Sequence, residues 1–283
     1  MEAILRGTRG GVPAPGPSTT RFGGNTTALQ ITTAVGTTVV LGAGTGILTM
    51  GRGEDAPQGE LAIMVSHLHW DDIQGLPFFE PLFDPARVIT IFGPRPTPEM
   101  SLRDGLQVQM RPPHFSVTLE DVVAADLRFV EVDPGSPFSM GILRVTPFLT
   151  AHPGLTLAYR LDEADTGHSL AFAPENELPQ MSSARVAEMA MWAQGVDVLV
   201  HDAQYTEDEY PAKRGWGHST HASAMGLARA ANARSLAFTH HDPGRSDDEL
   251  EAVTDRAVLR DEARHPGDPL SAFPAAEGAV LRF

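Results

Sequence analysis

The chain contains no cysteine. Disulfides, thiolate zinc sites and iron–sulfur clusters are therefore excluded, and any transition-metal site must be built from imidazole and carboxylate groups. Lysine is nearly absent too: Lys213 is the only one, and the other basic residues are arginines. No run is apolar and long enough to span a bilayer, and Met1-Glu2-Ala3-Ile4-Leu5-Arg6 lacks the apolar stretch of a signal peptide. A cytoplasmic protein without a membrane partner is the expectation. Positive charge is scarce overall, with a formal net charge of −15. Such a surface argues against gripping extended nucleic acid through its phosphates. It does not forbid a small anionic substrate, because bound metal ions reverse the field locally. At 283 residues the chain has ample material for a core.

Histidine carries the chemistry. His67-Leu68-His69-Trp70-Asp71-Asp72 follows the apolar run Leu61-Ala62-Ile63-Met64-Val65, which reads as a buried strand. Residues two apart on extended backbone point the same way, so His67 and His69 can offer two imidazoles to one ion. Asp71 and Asp72 add oxygen donors on the turn that follows. A bare His-x-His is more often a pair of surface histidines, but matching pieces lie downstream.

Leu29–Thr33 and Thr37–Leu41 read as a hairpin about Gly36. Further β-rich runs are Leu61–Val65, Val88–Phe92, Leu127–Val132, Ile142–Phe148, Leu155–Leu161 and Ser169–Ala173. Helices are expected over Ser183–Gln194, Thr220–Asn232 and Asp247–Arg264, with strands Asp197–His201 and Ser235–Thr239 between them. This reads as one α/β domain over residues 1–283, with an irregular insertion or lid near 94–125. Gly42-Ala43-Gly44-Thr45-Gly46 is not a dinucleotide-binding turn, since the third glycine and the crossover helix are missing. No Gly-x-Ser-x-Gly elbow supports a serine hydrolase.

Taken in order, these pieces resemble the metallo-β-lactamase-fold metallohydrolases, in particular the phosphodiesterase and RNA-maturation nuclease branch. The pieces are Arg9-Gly10-Gly11, Gly23-Gly24-Asn25-Thr26, Leu41-Gly42-Ala43-Gly44-Thr45-Gly46, the His67–Asp72 segment, Ala151-His152-Pro153 and Phe172-Ala173-Pro174-Glu175-Asn176-Glu177. His201-Asp202-Ala203, Gly217-His218-Ser219 and Thr239-His240-His241 complete the set. The resemblance implies a four-layer αββα sandwich holding two divalent ions, zinc or the harder manganese or iron. It assigns His67, His69 and His152 to the first ion, Asp71 and His240 to the second, and Glu175 to the bridge between them. A metal-bound hydroxide would attack while the ions absorb charge, with Asp71 and His218 in catalytic roles. His201 reads as a core histidine, His221 and His241 as supports, His114 as facing the pocket, and His168 and His265 as loop residues.

Three positions depart from the family pattern. Gly42 stands where an aspartate supports the ligands, Asp72 where a histidine binds the second ion, and Glu175 where an aspartate bridges. Counting Asp71, Asp72 and Glu175 as ligands leaves two divalent ions with a net of about +1 instead of about +2, so the second ion should be the weaker. The expected function is metal-dependent hydrolysis of a small phosphodiester such as a cyclic nucleotide or cyclic phosphate. Lactone, thioester or sulfate-ester hydrolysis on the same site, or a degenerate metal-binding sensor or redox protein, are the alternatives. The expected partners are a small anionic substrate and a second copy in a homodimer.

Overall fold

The structure, a computed structural model, describes residues 1–50, 57 and 59–283. Two seven-stranded sheets form its centre. In spatial order the first holds β14 (Val280–Arg282), β1 (Glu2–Gly7), β2 (Ala28–Thr32), β3 (Thr38–Leu41), β4 (Leu61–Met64), β5 (Val88–Gly93) and β6 (Asp126–Glu131). The second holds β13 (Ser271–Pro274), β12 (Ser235–Thr239), β11 (Val198–Asp202), β10 (Ser169–Ala173), β9 (Leu157–Glu163), β8 (Leu143–Leu149) and β7 (Phe138–Met140).

Period-two patterning decides which faces meet. In β1 the buried positions alternate, placing Ala3 and Leu5 in a cluster with Leu29, Val39, Tyr159, Phe172 and Val200 from both sheets. Central strands β10 and β11 are buried on both faces because helices cover the outer one. Those helices are α4 (Ser183–Trp192), α5 (His221–Ala230) and α6 (Asp247–Arg264), whose apolar faces bury Met189, Met225, Leu227 and Ala257 with Leu199, Leu236 and Phe238. Outside the first sheet, α1 (Trp70–Ile73), α2 (Leu102–Val108) and 3₁₀ turns cover Val40, Ile63, Ile89 and Ile91. The result is the expected αββα order. No described helix is long and apolar enough to cross a membrane.

Helix starts are fixed by side chains. Ser182, Thr220 and Ser246 accept hydrogen bonds from the first-turn amides of α4, α5 and α6, one residue ahead of the openings expected for α4 and α6. Residues 94–125 carry α2 and α3 (Leu119–Val122), each with a reciprocal cap, and link the parallel strands β5 and β6.

Parallel pairing places the site. Strands β10, β11 and β12 run parallel, and β8 joins their direction through the antiparallel β9. Their carboxyl ends therefore share one edge, as do those of β3, β4 and β5 in the other sheet. The sheets are tied together at that edge. Tyr159 Oη donates to Val65 O at 2.8 Å and Leu157 N to Ser66 O at 2.9 Å, just where the chain leaves β4 toward His67.

Candidate metal centre

Four chain segments leave the shared edge and bring their donors together. His67 and His69 follow β4, His152 follows β8, Glu175 follows β10 and His240 follows β12, while Asp71 sits in the first turn of α1. Glu175 Oε2 lies 2.7 Å from His152 Nε2, 3.1 Å from His67 Nε2 and 4.0 Å from His69 Nδ1. Its other oxygen, Oε1, lies 3.1 Å from His240 Nε2, which is 3.3 Å from Asp71 Oδ2. One carboxylate thus divides its oxygens between a three-histidine group and an aspartate–histidine group. The extra methylene of glutamate does not prevent the bridging position.

Donor chemistry and burial both fit divalent ions. His67 Nε2, Glu175 Oε1 and His240 Nε2 are buried and have no hydrogen-bond partner among the described residues. Unsatisfied buried polar atoms of this kind are costly unless a cation meets them. The electrostatics of the donors point the same way. Burial alone would lower the His67 imidazole, yet Glu175 and Asp72 outweigh it and raise its pKa to about 10. Burial would raise the Glu175 carboxyl, but charge on His67 and His240 holds it well below its ordinary value. Without a metal, protons on imidazole fill the place of positive charge. His69 goes the opposite way, lowered to about 4 by burial and then by the neighbouring His67. Three imidazoles and a carboxylate suit zinc, and the oxygen-richer second group suits zinc, manganese or iron.

Asp72 does not join these donors. Its carboxylate is fully buried and turned back from the cluster, accepting a 2.6 Å hydrogen bond from Ser66 Oγ. Ser66 Oγ lies 2.8 Å from His67 Nδ1, and Asp72 Oδ2 lies 3.5 Å from the same nitrogen. Asp72, expected as a ligand of the second ion, thus stands outside the close donor groups and braces His67 from behind, with its Oδ1 buried and without a hydrogen-bond partner among the described residues. Without it in the count, two divalent ions keep a net of about +2. Gly42 explains why that support comes from position 72. Its φ is +81°, and a Cβ there would meet Thr27 O at 2.7 Å.

The sequence motifs around the donors acquire specific tasks. Gly10 leaves room for His240, since a Cβ at that position would lie 2.1 Å from the imidazole Nδ1. Gly11 N donates to Asp71 Oδ2 at 2.7 Å. Arg9 is buried and donates to Gly23 O at 2.7 Å and Arg245 O at 2.8 Å, pinning the Gly10-Gly11 turn against the start of α6. His240 itself holds φ +57°, a conformation rare outside glycine.

His218 borders the same space. Its ring stacks on His240 with centroids 4.7 Å apart and lies 5.3 Å from His152. Its Nδ1 is 2.9 Å from Asp202 Oδ2. Asp202, His218 and His240 also form a third close donor group. Asp202 and Glu177 are functional neighbours that the motif reading left without a role. Glu177 accepts hydrogen bonds from Tyr210 Oη, Gly215 N and Gly217 N at 2.7–2.8 Å, fixing the loop that presents His218. Their only signal in the sequence is a carboxylate just beyond an apolar strand.

The remaining histidines separate cleanly. His201 is fully buried, with Nδ1 2.7 Å from Asp202 O and Nε2 3.1 Å from Asn176. His241 bonds Ala275 O through Nε2 and His221 bonds Tyr205 O through Nδ1, both outside the donor groups. His114 lines a cavity next to α1. His168 and His265 stay near the surface, partnered with Asp197 and Asp261.

Comparison with known proteins bears on the family and the fold. Residues 44–241 match the family described as β-lactamase superfamily domain. Ribonuclease Z of Limosilactobacillus fermentum is 25% identical over 230 residues, covering 63% of this chain and 68% of the relative. Ribonuclease BN of Citrobacter koseri is 25% identical over 85% of this chain and 88% of its own. Among solved structures, unliganded yeast PDE1 superposes with a TM-score of 0.73 at 13% identity, over 100% of this chain and 99% of the other. The metallo-β-lactamase-fold protein YhfI from Bacillus subtilis gives 0.69 at 17% identity, over 99% and 98%. These structural likenesses establish the fold, and the family match covers most of the sequence. The chain belongs to the family described as β-lactamase superfamily domain and has the metallo-β-lactamase fold.

Proposed function

We propose that this chain hydrolyses a small phosphodiester using two divalent ions, the first held by His67, His69 and His152, the second by Asp71 and His240, with Glu175 shared. The observation that carries the reading is the division of Glu175, whose oxygens face two separate groups of buried donors. When bound, such ions supply an activated water and absorb charge developing on phosphoryl oxygens. The protein's own work is positional. With Nδ1 committed to Asp202, His218 has its Nε2 side to offer a leaving-group oxygen. The Glu177 staple holds the loop on which that ring stands.

A local charge of about +2 within a protein of net charge −15 favours a small anion over a long one. Relatives named ribonuclease Z and ribonuclease BN support phosphoester chemistry but leave substrate size open. The test sets bis-p-nitrophenyl phosphate and cyclic nucleotides beside a precursor tRNA, using protein loaded with zinc or manganese. Turnover of the small diesters is expected, and His218→Ala should lower it about 10²–10⁴-fold while metal content stays constant. Full turnover in that variant would show His218 to be misassigned. Cleavage of the precursor tRNA alone would defeat the small-substrate reading.

A further inference from the structure

We propose that the cavity beside His69 binds a planar, uncharged, hydrogen-bonding ring, the chemistry of a nucleobase, as the organic end of the substrate. This deepens the phosphodiesterase reading and rests on it only in calling the occupant substrate. The cavity has a volume of about 440 Å³ and lies between α1, α2 and the 114–115 turn. That is the size of a small-molecule site, too small for a folded partner.

The segment 67–74 serves both places. His67, His69 and Asp71 belong to the donor groups, whereas Leu68, Trp70 and Gln74 line the cavity. A bipartite molecule with a phosphate and a ring matches that division. Trp70 is 68% exposed, Phe78 60% and Val108 49%, and all three meet at this one cavity. Single exposed apolar residues are ordinary, but a group of them around a concave surface marks a binding site.

Its walls favour a ring over an alkyl chain. Trp70, Phe78, His114 and Phe115 are all aromatic, with the Phe78 and Phe115 rings 5.7 Å apart and inclined at 56°. Aromatic faces stack on any base. Gln109 adds a hydrogen-bonding element. Both ends of its amide are shielded and lack a partner among the described residues, so turning the amide toward the cavity breaks no bond described there. An amide offers donor and acceptor side by side, which complements the edge of a base and finds nothing on an alkyl chain.

The test uses adenosine and thymidine, which carry no phosphate and so report on the cavity independently of metal and hydrolysis. Trp70 is one of three tryptophans, so the part of the intrinsic fluorescence that Trp70→Phe removes reads its environment. Saturable quenching is expected, abolished in Trp70→Phe and weakened roughly tenfold in Phe115→Ala and Gln109→Leu. Hexanol should not compete. Circular dichroism identifies any variant that fails to fold, and the folded one of the pair then decides. Absence of saturable quenching by both nucleosides would overturn the proposal. So would displacement by hexanol, or binding unchanged in the folded cavity variants. Nucleoside binding without any phosphodiester hydrolysis would defeat the phosphodiesterase reading and uphold the site. Hydrolysis without nucleoside binding would defeat the site alone.

Discussion

His67 owes its orientation to a chain of two contacts behind it. Ser66 Oγ lies 2.8 Å from Nδ1 and donates onward to Asp72 Oδ2 at 2.6 Å. A ring held through Nδ1 presents Nε2, the atom 3.1 Å from Glu175, to an ion. Losing support of this kind costs roughly 10–100-fold in metal affinity. Asp72→Asn and Ser66→Ala are each expected to weaken the first ion by that factor. The double variant should fall little further, because both changes break the same chain. Calorimetric titration of metal-free protein reads this directly, and a loss confined to the second ion would instead make Asp72 a ligand. Asp72→His is not expected to build a second-ion site, since position 72 is fully buried and points toward Ser66. Identity and direction were unequally legible here. Strand spacing alone paired His67 with His69 and put Asp71 within reach, whereas His152, Glu175 and His240 entered the expected set only through the resemblance to the metallo-β-lactamase-fold metallohydrolases. The direction of Asp72 depends on Ser66 and on packing against β4, which residue spacing does not encode.

The helices and central strands were readable because their periodicities are strong and their caps local. Helix α6 spans Asp247–Arg264, and strands β10 and β12 span Ser169–Ala173 and Ser235–Thr239, as the patterning predicts. Strands β1, β7, β13 and β14 were not read. Strands β7, β13 and β14 are short edge strands, β1 lies next to the edge, and β14 owes its place to pairing with β1 from the opposite end of the chain. Long-range pairing of that kind leaves little local trace. At the start of α5, His221 is buried with Nδ1 on Tyr205 O and Nε2 without a partner among the described residues. Burial, set mainly against the Tyr205 bond, lowers its pKa below 6.5. The folded protein therefore holds His221 neutral, while the unfolded chain takes up a proton as pH falls through 6.5. Stability contributed by this site is complete above that value and declines below it. His221→Gln should remove the decline. Urea midpoints compared at pH 7 and pH 5 are expected to drop less in the variant than in the parent, and an equal or larger drop would show that His221 is not held neutral.

At the scale of the whole molecule, the two sheets meet over an apolar interior, but the edge that carries the site is strongly acidic. Asp71, Asp72, Glu175 and Asp202 are buried together there with His67 and His240, and half-buried His218 borders them. Burial first, and then repulsion from Glu175, pushes the Asp72 carboxyl up against the pull of His67. Divalent ions would relieve that repulsion, so metal binding should be coupled to folding through segments from both sheets. A ligand that binds only the folded chain stabilises it by about 4 kcal/mol when present at a thousand times its dissociation constant. In larger domains each kcal/mol moves the melting temperature by roughly 2–4 °C. Chelation should therefore lower the melting temperature by about ten degrees, and zinc or manganese should restore it. Restoration should come in two steps, the first abolished by His67→Ala and the second by His240→Ala. Metal analysis before and after chelation fixes the occupancy. If the protein binds no metal and melts unchanged in chelator, the imidazole–carboxylate contacts are a self-sufficient ion-pair network, and the centre is not a metal site at all.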